Sequence, residues 1–197
     1  MIKSICVFGD SIAYGRSDLE VGGWVTRLKL ALLTDTKDYT AVLNFGIPAD
    51  LVAKAVDRIK PEVEYCEPEL SFLALGVNDT PHTSLHGLPT TQLRDFKRHY
   101  AHIIKVLQKN SNRICLIGIT NVHPNNPWRY SNDEIQRYNK IVTTLAQKKG
   151  IDVIETFGLI DPSTDCTKDG DHPNGRGHKK IFEKVLPVAK RLVENNR

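Results

Sequence analysis

Short apolar runs alternate along the chain with longer segments whose apolar residues recur every three or four positions. The runs are apolar on both faces, which is typical of strands that helices cover on both sides. The five predicted strands span residues 4–8, 41–45, 70–75, 113–119 and 152–155. Strands that alternate with helices predict an α/β fold with a parallel sheet and right-handed crossover connections.

The segments between and after these strands carry helical stripes of apolar side chains. The stripes comprise Val25, Leu28 and Leu32; Leu51, Ala55 and Ile59; Leu93, Phe96, Tyr100, Ile103 and Leu107; Ile135, Tyr138, Val142 and Leu145; and Ile181, Val185, Val188 and Leu192. Pro187 lies inside the last stripe, where it removes a backbone donor and crowds the preceding turn, so we expect a kink or a restart there. His178 is expected to pack or cap in the first turn of the same helix.

The length and composition are those of an ordinary globular protein. The chain has 197 residues, of which 40% are hydrophobic and 25% charged, and this excludes a disordered, collagen-like or coiled-coil protein. We find no internal repeat and no long linker, so we expect one domain over residues 1–197. No apolar stretch approaches the roughly 20 residues of a membrane span, and residues 1–8 lack the apolar region of a secretory signal. We therefore expect no stable membrane insertion and a cytoplasmic location.

The positive charge is concentrated in the second half of the chain. The net charge is +4, with −2 in residues 1–100 and +6 in residues 101–197. Residues 174–197 hold seven Lys or Arg side chains against Glu183 and Glu194, a balance that suits nucleic acid, phosphate or membrane headgroups. Phe182 is the one aromatic residue between positions 175 and 197, which disfavours binding of nucleic acid by base stacking. We interpret this charge as the solvated face of the last helix and expect no nucleic-acid partner.

Chemically distinctive residues follow four of the predicted strands. In an open parallel sheet, ligands bind beyond the carboxyl ends of the strands. The segments found there are Gly9-Asp10-Ser11 after the first strand, Asn44-Phe45-Gly46 after the second, Gly76-Val77-Asn78-Asp79 after the third, and Asp169-Gly170-Asp171-His172-Pro173-Asn174 in the loop beyond the fifth. We expect these scattered segments to meet at one edge of the sheet.

Together, the four segments contain the groups that acyl transfer requires, namely a hydroxyl, a base, a carboxylate that orients the base, and donors for the developing oxyanion. Ser11 would be the nucleophile, His172 the general base, and Asp169 the orienting carboxylate. The backbone N–H groups of Ser11 and Gly46 and the side-chain amide of Asn78 would form the oxyanion hole. Each residue alone has an ordinary structural explanation, such as a helix N-cap for Ser11 or a tight turn for Gly46. The hypothesis depends on their combination.

The four segments, in this order, resemble the sequence blocks of the SGNH hydrolases, also called the GDSL family of esterases and lipases. The resemblance extends from residue 4 to about residue 182. It implies a three-layer α/β/α sandwich with a five-stranded, flavodoxin-like parallel sheet, hydrolysis of acyl esters without a metal or cofactor, and the roles given above. Two positions depart from the family pattern. Ile12 replaces the usual Leu, and Ala49 stands where many members have a second Gly, so the loop after Gly46 is expected to differ in shape.

Three further carboxylates lie close to these residues in the sequence. Family spacing selects Asp169, three residues before the His, so Asp171 is expected to face solvent or to act as a structural acceptor. Asp10 and Asp79 are expected to hold the turn of the nucleophile and the loop of Asn78.

Aromatic and histidine side chains near this edge allow several roles. Trp24 either forms a wall of the site or packs in the core, and His123 and Trp128 are candidate substrate contacts. His82 and His86 would present two metal ligands on one face of a helix, but the Pro and Gly residues around them disfavour a helix, so we predict no metal site. They would instead line the cleft. The connections 80–91 and 121–132, both rich in turn-forming residues, are long enough to be functional.

The first functional hypothesis is a serine ester hydrolase that acts on a small acyl ester. A carbohydrate O-deacetylase, a lysophospholipase or a thioesterase would use the same machinery. A flavodoxin-like nucleotide-binding module is an alternative of another class, but the chain contains neither a G-x-G-x-x-G nor a G-x-x-x-x-G-K-[ST] segment. A catalytically inactive member of the family is a third possibility, which the complete set of Ser11, Asp169 and His172 argues against.

Overall fold

The computed structural model describes residues 3–35, 40–82 and 90–194. All strands run parallel in one sheet of order β2-β1-β3-β4-β5. The strands are β1 (Lys3–Gly9), β2 (Thr40–Gly46), β3 (Leu70–Ala74), β4 (Arg113–Ile117) and β5 (Asp152–Ile154). The helices are α1 (Ser11–Tyr14), α2 (Gly23–Asp35), α3 (Val52–Cys66), α4 (Leu93–Asn110), α5 (Asn132–Lys149), α6 (Pro162–Asp165) and α7 (Gly175–Glu194).

Side chains of alternate parity along the strands enter two separate hydrophobic clusters. On β1, Ile5 and Val7 pack with α2 and α7, whereas Cys6 and Phe8 pack with α3, α4 and α5. Because successive side chains of a strand point to opposite faces, each strand contributes to both layers. This alternation is the physical reason for the near-continuous apolar runs in the sequence, and it confirms the predicted α/β/α sandwich with a five-stranded parallel sheet.

Two prolines lie inside helices rather than at their ends. Of the kink or restart expected at Pro187, the restart is wrong, because α7 continues without interruption from Gly175 to Glu194. The third helix is likewise longer than its predicted stripe and passes through Pro61 to Cys66. Both proline rings lie on exposed faces of their helices, where packing against the sheet holds the helix despite the missing backbone donor.

His178 connects the first and last thirds of the chain, and its predicted packing role is confirmed. The side chain is fully buried, its Nδ1 atom accepts a hydrogen bond from the Trp24 N–H at 3.3 Å, and its Nε2 atom lies 3.1 Å from the carbonyl oxygen of Arg16. These partners require the tautomer that carries its proton on Nε2. Burial lowers the pKa of His178 and keeps the imidazole neutral.

Several cations of α7 are paired within the protein. Arg176 and Lys180 contact the buried carboxylate of Asp165, and Arg191 lies 2.8 Å from Asp152. These contacts account for part of the positive charge near the end of the chain. Among the helices of the described residues, none has both the length and the apolar character of a membrane span.

Candidate active site

A tight turn between β1 and α1 presents Ser11 at the carboxyl edge of the sheet. Asp10, not Ser11, is the helix N-cap, since its Oδ1 accepts the Ile12 N–H at 2.9 Å. Ser11 is the first residue of the helix, which leaves its own N–H without an acceptor inside the helix. Gly9 is required below it, because a Cβ at this position would lie 2.3 Å from the Cβ of Ala13.

The loop between α6 and α7 presents His172 at the same edge. Its ends are joined by a hydrogen bond from the Thr167 N–H to the carbonyl oxygen of His172, at 2.9 Å. Gly170 has φ +73° at the tip of the loop, and its carbonyl oxygen accepts the His123 N–H at 2.7 Å. Asn174 then caps α7, because its Oδ1 accepts the Arg176 N–H at 2.9 Å. The backbone of His172 is thus fixed between the closed loop and the capped start of α7.

Ser11, His172 and Asp169 form a continuous chain of hydrogen bonds, as the sequence analysis predicts. The Oγ of Ser11 lies 3.0 Å from Nε2 of His172, although the two residues are 161 positions apart. On the other side of the ring, Nδ1 of His172 lies 2.8 Å from Oδ2 of Asp169. The second oxygen of Asp169 accepts the Thr167 hydroxyl at 2.7 Å. One carboxylate therefore orders both the loop and the imidazole.

Asp171 was expected to face solvent or to act as a structural acceptor, and the first of these expectations is wrong. The residue is 7% exposed, and its Oδ1 lies 3.1 Å from Nδ1 of His172. The angle at this contact does not satisfy a hydrogen bond, and Oδ1 of Asp171 has no hydrogen-bond partner among the described residues. Its position follows from the turn, which directs the carboxylates of Asp169 and Asp171 toward the same ring nitrogen.

The two carboxylates give the imidazole an unusual protonation equilibrium. Burial alone would lower the pKa of His172, but the contacts with Asp169 and Asp171 outweigh it and raise the pKa to about 9. For Asp169, the hydrogen bonds from His172 and Thr167 outweigh burial and hold the pKa well below its usual range. Burial raises the pKa of Asp171, and the charge of Asp169 adds to this effect. The charged imidazolium is therefore the favoured form of His172 at neutral pH.

Gly46 lies beside the nucleophile turn, but its N–H is already paired. This N–H donates to Oδ1 of Asn44 at 2.9 Å, which argues against the predicted part of Gly46 in an oxyanion hole. The glycine is required for close packing instead, since a Cβ there would lie 2.3 Å from the backbone nitrogen of Tyr14. Asn44 completes the arrangement by donating its side-chain amide to the carbonyl oxygen of Ala13.

Ala49, the residue that departs from the family pattern, has the backbone conformation that favours glycine. Its φ is +61°, and the Asp50 N–H returns to the carbonyl oxygen of Ile47 at 3.2 Å. A four-residue turn with Pro48 second and a positive φ third has the features of a type II turn. The amide of Asn78 donates to the carbonyl oxygen of Asp50 at 3.1 Å, so Asn78 and this turn are adjacent.

Asp10 and Asp79 are buried in the turns of Ser11 and Asn78, which they were expected to hold. Burial raises the pKa of Asp10 to about 6 and that of Asp79 to about 7. Asp79 accepts the Val52 N–H at the start of α3 and the hydroxyl of Thr91, and so joins the Asn78 turn to two other segments. The charge of His172 lowers the pKa of Asp10 and partly offsets the effect of burial.

Three aromatic candidates differ in their exposure. Trp24 is 1% exposed and packs edge-on against Phe72, so it belongs to the core and not to an open wall of the site. It also lines, together with Asp10, a small pocket of about 30 Å³. His123 and Trp128 are half-buried in the loop after β4.

The histidine pair considered as a metal site is only partly within the described residues. Nδ1 of His82 lies 2.6 Å from the carbonyl oxygen of Thr80, and its ring packs against Tyr130 with centroids 4.9 Å apart. His86 lies outside the described residues, as do positions 83–89 of the connection 80–91. Asp169, Asp171 and His172 offer three potential ligand atoms within 4.8 Å of one another. Of these three, Asp169 and His172 are joined by a hydrogen bond through Nδ1.

Asparagine side chains that the sequence analysis did not single out order the loop 121–132. Asn126 accepts the Tyr130 N–H and donates to the carbonyl oxygens of His123 and Tyr130. Asn132 similarly pairs with both backbone groups of Val122. The tendency of Asn to form such backbone-mimicking turns is the signal that could have identified them. Thr167 was missed because a lone Thr two residues before an Asp has no distinctive pattern.

The raised pKa of His172 predicts a pH-dependent contribution to stability. The group ionises near 6.5 when unperturbed and near 9 in the fold, so its stabilising effect is complete below pH 6.5 and is lost as the pH rises through about 9. Replacement by Gln removes this contribution. In urea unfolding, the gap in unfolding free energy between the wild type and His172→Gln should narrow from pH 6 to pH 10. A constant gap over this interval would contradict a raised pKa of His172 in the folded protein.

Comparison with known proteins identifies the family to which the chain belongs. Residues 5–185 match the family described as GDSL-like lipase/acylhydrolase. An arylesterase from Vibrio mimicus is 26% identical over 195 residues, covering 98% of this chain and 90% of that protein. The lipase/acylhydrolase from Enterococcus faecalis has a similar fold, with a TM-score of 0.82, 20% identity and 96% coverage of both chains. The acetylxylan esterase Axe2 from Geobacillus stearothermophilus aligns with a TM-score of 0.76 at 18% identity, covering 97% of this chain and 94% of that chain. The chain belongs to the GDSL-like lipase/acylhydrolase family, whose members are esterases and acylhydrolases.

Proposed function

We propose that the protein is a serine ester hydrolase that cleaves small acyl esters through an acyl-enzyme on Ser11. The observation that carries the proposal is the hydrogen-bonded sequence Ser11–His172–Asp169, with distances of 3.0 Å and 2.8 Å. These distances are within the range in which a base can take the proton of a nucleophile and a carboxylate can orient the base. The family assignment supports the reaction class independently.

In the proposed reaction, Ser11 Oγ attacks the ester carbonyl carbon while Nε2 of His172 takes the hydroxyl proton. The tetrahedral intermediate then collapses, the ester C–O bond breaks, and His172 returns the proton to the leaving alcohol. Water repeats the sequence on the acyl-enzyme and releases the carboxylic acid. Asp169 holds the imidazole through Nδ1 and stabilises the imidazolium formed in each half-reaction.

The oxyanion of the intermediate needs donors close to Ser11. The Ser11 N–H is suitable because the first residue of a helix has no intrahelical acceptor for it. Asn78 has one amide hydrogen committed to Asp50, which leaves its second hydrogen for the oxyanion. We assign the third donor to the N–H of Ala49, in the turn next to Asn78, because the N–H of Gly46 is paired with Asn44. The positive φ of Ala49 is the kind of backbone strain found at functional sites.

The proposed base is most effective at alkaline pH. Only neutral imidazole can accept the proton of Ser11, and the pKa of His172 is raised to about 9. For the free enzyme, kcat/KM should therefore increase from neutral pH toward pH 9.

O-deacetylases, lysophospholipases and thioesterases would use the same residues on different acyl and leaving groups. A series of p-nitrophenyl esters from acetyl to palmitoyl, assayed beside acetylated xylan, a lysophospholipid and an acyl thioester, distinguishes these classes. His123 and Trp128 are the proposed substrate contacts to vary once a substrate is known.

Replacement of Ser11 by Ala is predicted to abolish turnover of the preferred ester while the fold is retained, because the nucleophile is lost and the side chain remains small. Ser131→Ala is the matched control, since Ser131 is exposed and its side chain makes no capping hydrogen bond at the start of α5. Rates and circular dichroism should be measured for both variants. Wild-type turnover by Ser11→Ala would reject Ser11 as the nucleophile.

Replacement of Asn78 by Ala is predicted to lower kcat by about 10²- to 10³-fold, the usual effect of losing one oxyanion donor. KM should change little, because the lost interaction strengthens in the transition state. Asn112→Ala serves as the control for loss of an Asn. Asn112 is exposed and directly precedes β4, so it lies at the amino end of the strand, away from Ser11. A decrease of less than tenfold in kcat, with unchanged thermal stability, would show that Asn78 is not a donor.

A further inference from the structure

A second carboxylate reaches the imidazole of His172 from the same loop. Oδ1 of Asp171 lies 3.1 Å from Nδ1, the atom that pairs with Asp169 at 2.8 Å. Nδ1 carries one proton, and the shorter, well-directed contact with Asp169 takes it. Asp171 therefore contacts the ring nitrogen at close range without a hydrogen bond of its own.

Among the described residues, none other than His172 offers Asp171 a partner that would explain its burial. The residue is 7% exposed, and no described residue forms a hydrogen bond with its Oδ1. An isolated buried carboxylate is costly unless a cation or a donor compensates for it. Among the groups around it, the His172 imidazolium is the one cation in contact with Asp171 in the described part of the chain. Burial of Asp171 is thus coupled to the charge on His172.

From this geometry we propose that Asp171 is a second positioning carboxylate for His172. Together with Asp169 it stabilises the imidazolium. It also accepts the hydrogen bond from the Nδ1 N–H when Asp169 is not available to accept it. The proposal builds on the proposed function, because the imidazolium forms in every catalytic cycle only if His172 is the base. Asp171 acts through the imidazole and does not touch the reacting atoms.

The other titratable groups that the described residues place near His172 or Asp171 do not compete with Asp171 for the Nδ1 atom. Asp10, at the start of α1, interacts with its charge but is hydrogen-bonded to the Ile12 N–H. His178 on α7 is kept neutral by burial. Tyr130 lies in the loop after β4. Burial, and to a smaller extent the charge of Asp171, raise the pKa of Tyr130 far above neutrality. None of these groups contributes a second negative charge at Nδ1.

The first test is the pH dependence of His172 in Asp171→Asn, an isosteric change that removes the charge. The limb of the kcat/KM profile assigned to His172 should move to lower pH by about one to two units, the shift expected when an opposite charge a few ångströms away is removed. The imidazole should show the same change in an NMR titration. Asp133→Asn, at an exposed position on α5, is the matched control and should leave both values unchanged.

The second test is a double-mutant cycle with Asp169→Asn. Loss of the orienting carboxylate costs about 10⁴-fold in kcat in a serine hydrolase with one such residue. Here we expect Asp169→Asn to lose only about 10- to 100-fold, because Asp171 replaces it, and the double variant to show the full loss of about 10⁴-fold. If Asp169→Asn already shows the full loss and Asp171→Asn adds nothing, the proposal is wrong.

The two tests separate this proposal from the proposed function. The NMR titration needs no turnover, so it reports the contact between Asp171 and His172 even if no ester is hydrolysed. An unshifted His172 titration in Asp171→Asn overturns the proposal, whatever the activity. If Asp171→Asn does not fold, Asp171→Val tests the same loss of charge with an apolar side chain of similar volume.

Discussion

The hydrogen bond between Nδ1 of His172 and Asp169 is the interaction on which the site depends, because it fixes which ring nitrogen faces Ser11. In the neutral ring, whose one proton lies on Nδ1, the lone pair of Nε2 points to the serine hydroxyl 3.0 Å away. The same carboxylate orders its loop through Thr167. Loss of Asp169 would therefore disturb the tautomer of His172, the proposed base, and the loop that carries it. The sheet supports this contact from the other side, since the close approach of Gly9 to Ala13 holds the Ser11 turn against the strand edge.

The site concentrates carboxyl groups in a region of low exposure. Asp10, Asp79 and Asp171 are all buried, and burial raises the pKa of each. Such groups are expensive to bury, and the hydrogen bonds that Asp10 and Asp79 accept from backbone N–H groups and a hydroxyl offset only part of that cost. Asp10 and Asp171 interact directly with the imidazolium of His172, and Asp79 interacts in turn with Asp10. This electrostatic setting favours the protonated base, which suits the stage of the proposed reaction at which the imidazolium and the oxyanion coexist.

Much of the fold and part of the site could be predicted from sequence. The five strands were recognisable because burial on both faces leaves continuous apolar runs, and the order of the four segments identified the family. Side-chain direction within a loop has no such pattern. Asp171 was expected to face solvent or to accept a structural hydrogen bond, but the turn at Gly170 directs it to His172. The N–H of Gly46 was expected to be free, yet Asn44, two residues earlier, accepts it. The last helix was predicted across Pro187, but the restart expected there was wrong because tertiary packing outweighs a local helix-breaking preference.

The most direct test of the account is covalent capture of the nucleophile. An alkyl fluorophosphonate reacts with a serine hydroxyl only when a neighbouring base and oxyanion donors activate it. Intact-mass and peptide mass spectrometry of the treated protein should find one adduct, on Ser11, that forms faster between pH 7 and pH 9 as His172 loses its proton. His172→Gln should prevent it. No adduct on Ser11 in the folded wild-type protein, or an equal rate in His172→Gln, would contradict the claim that His172 activates Ser11.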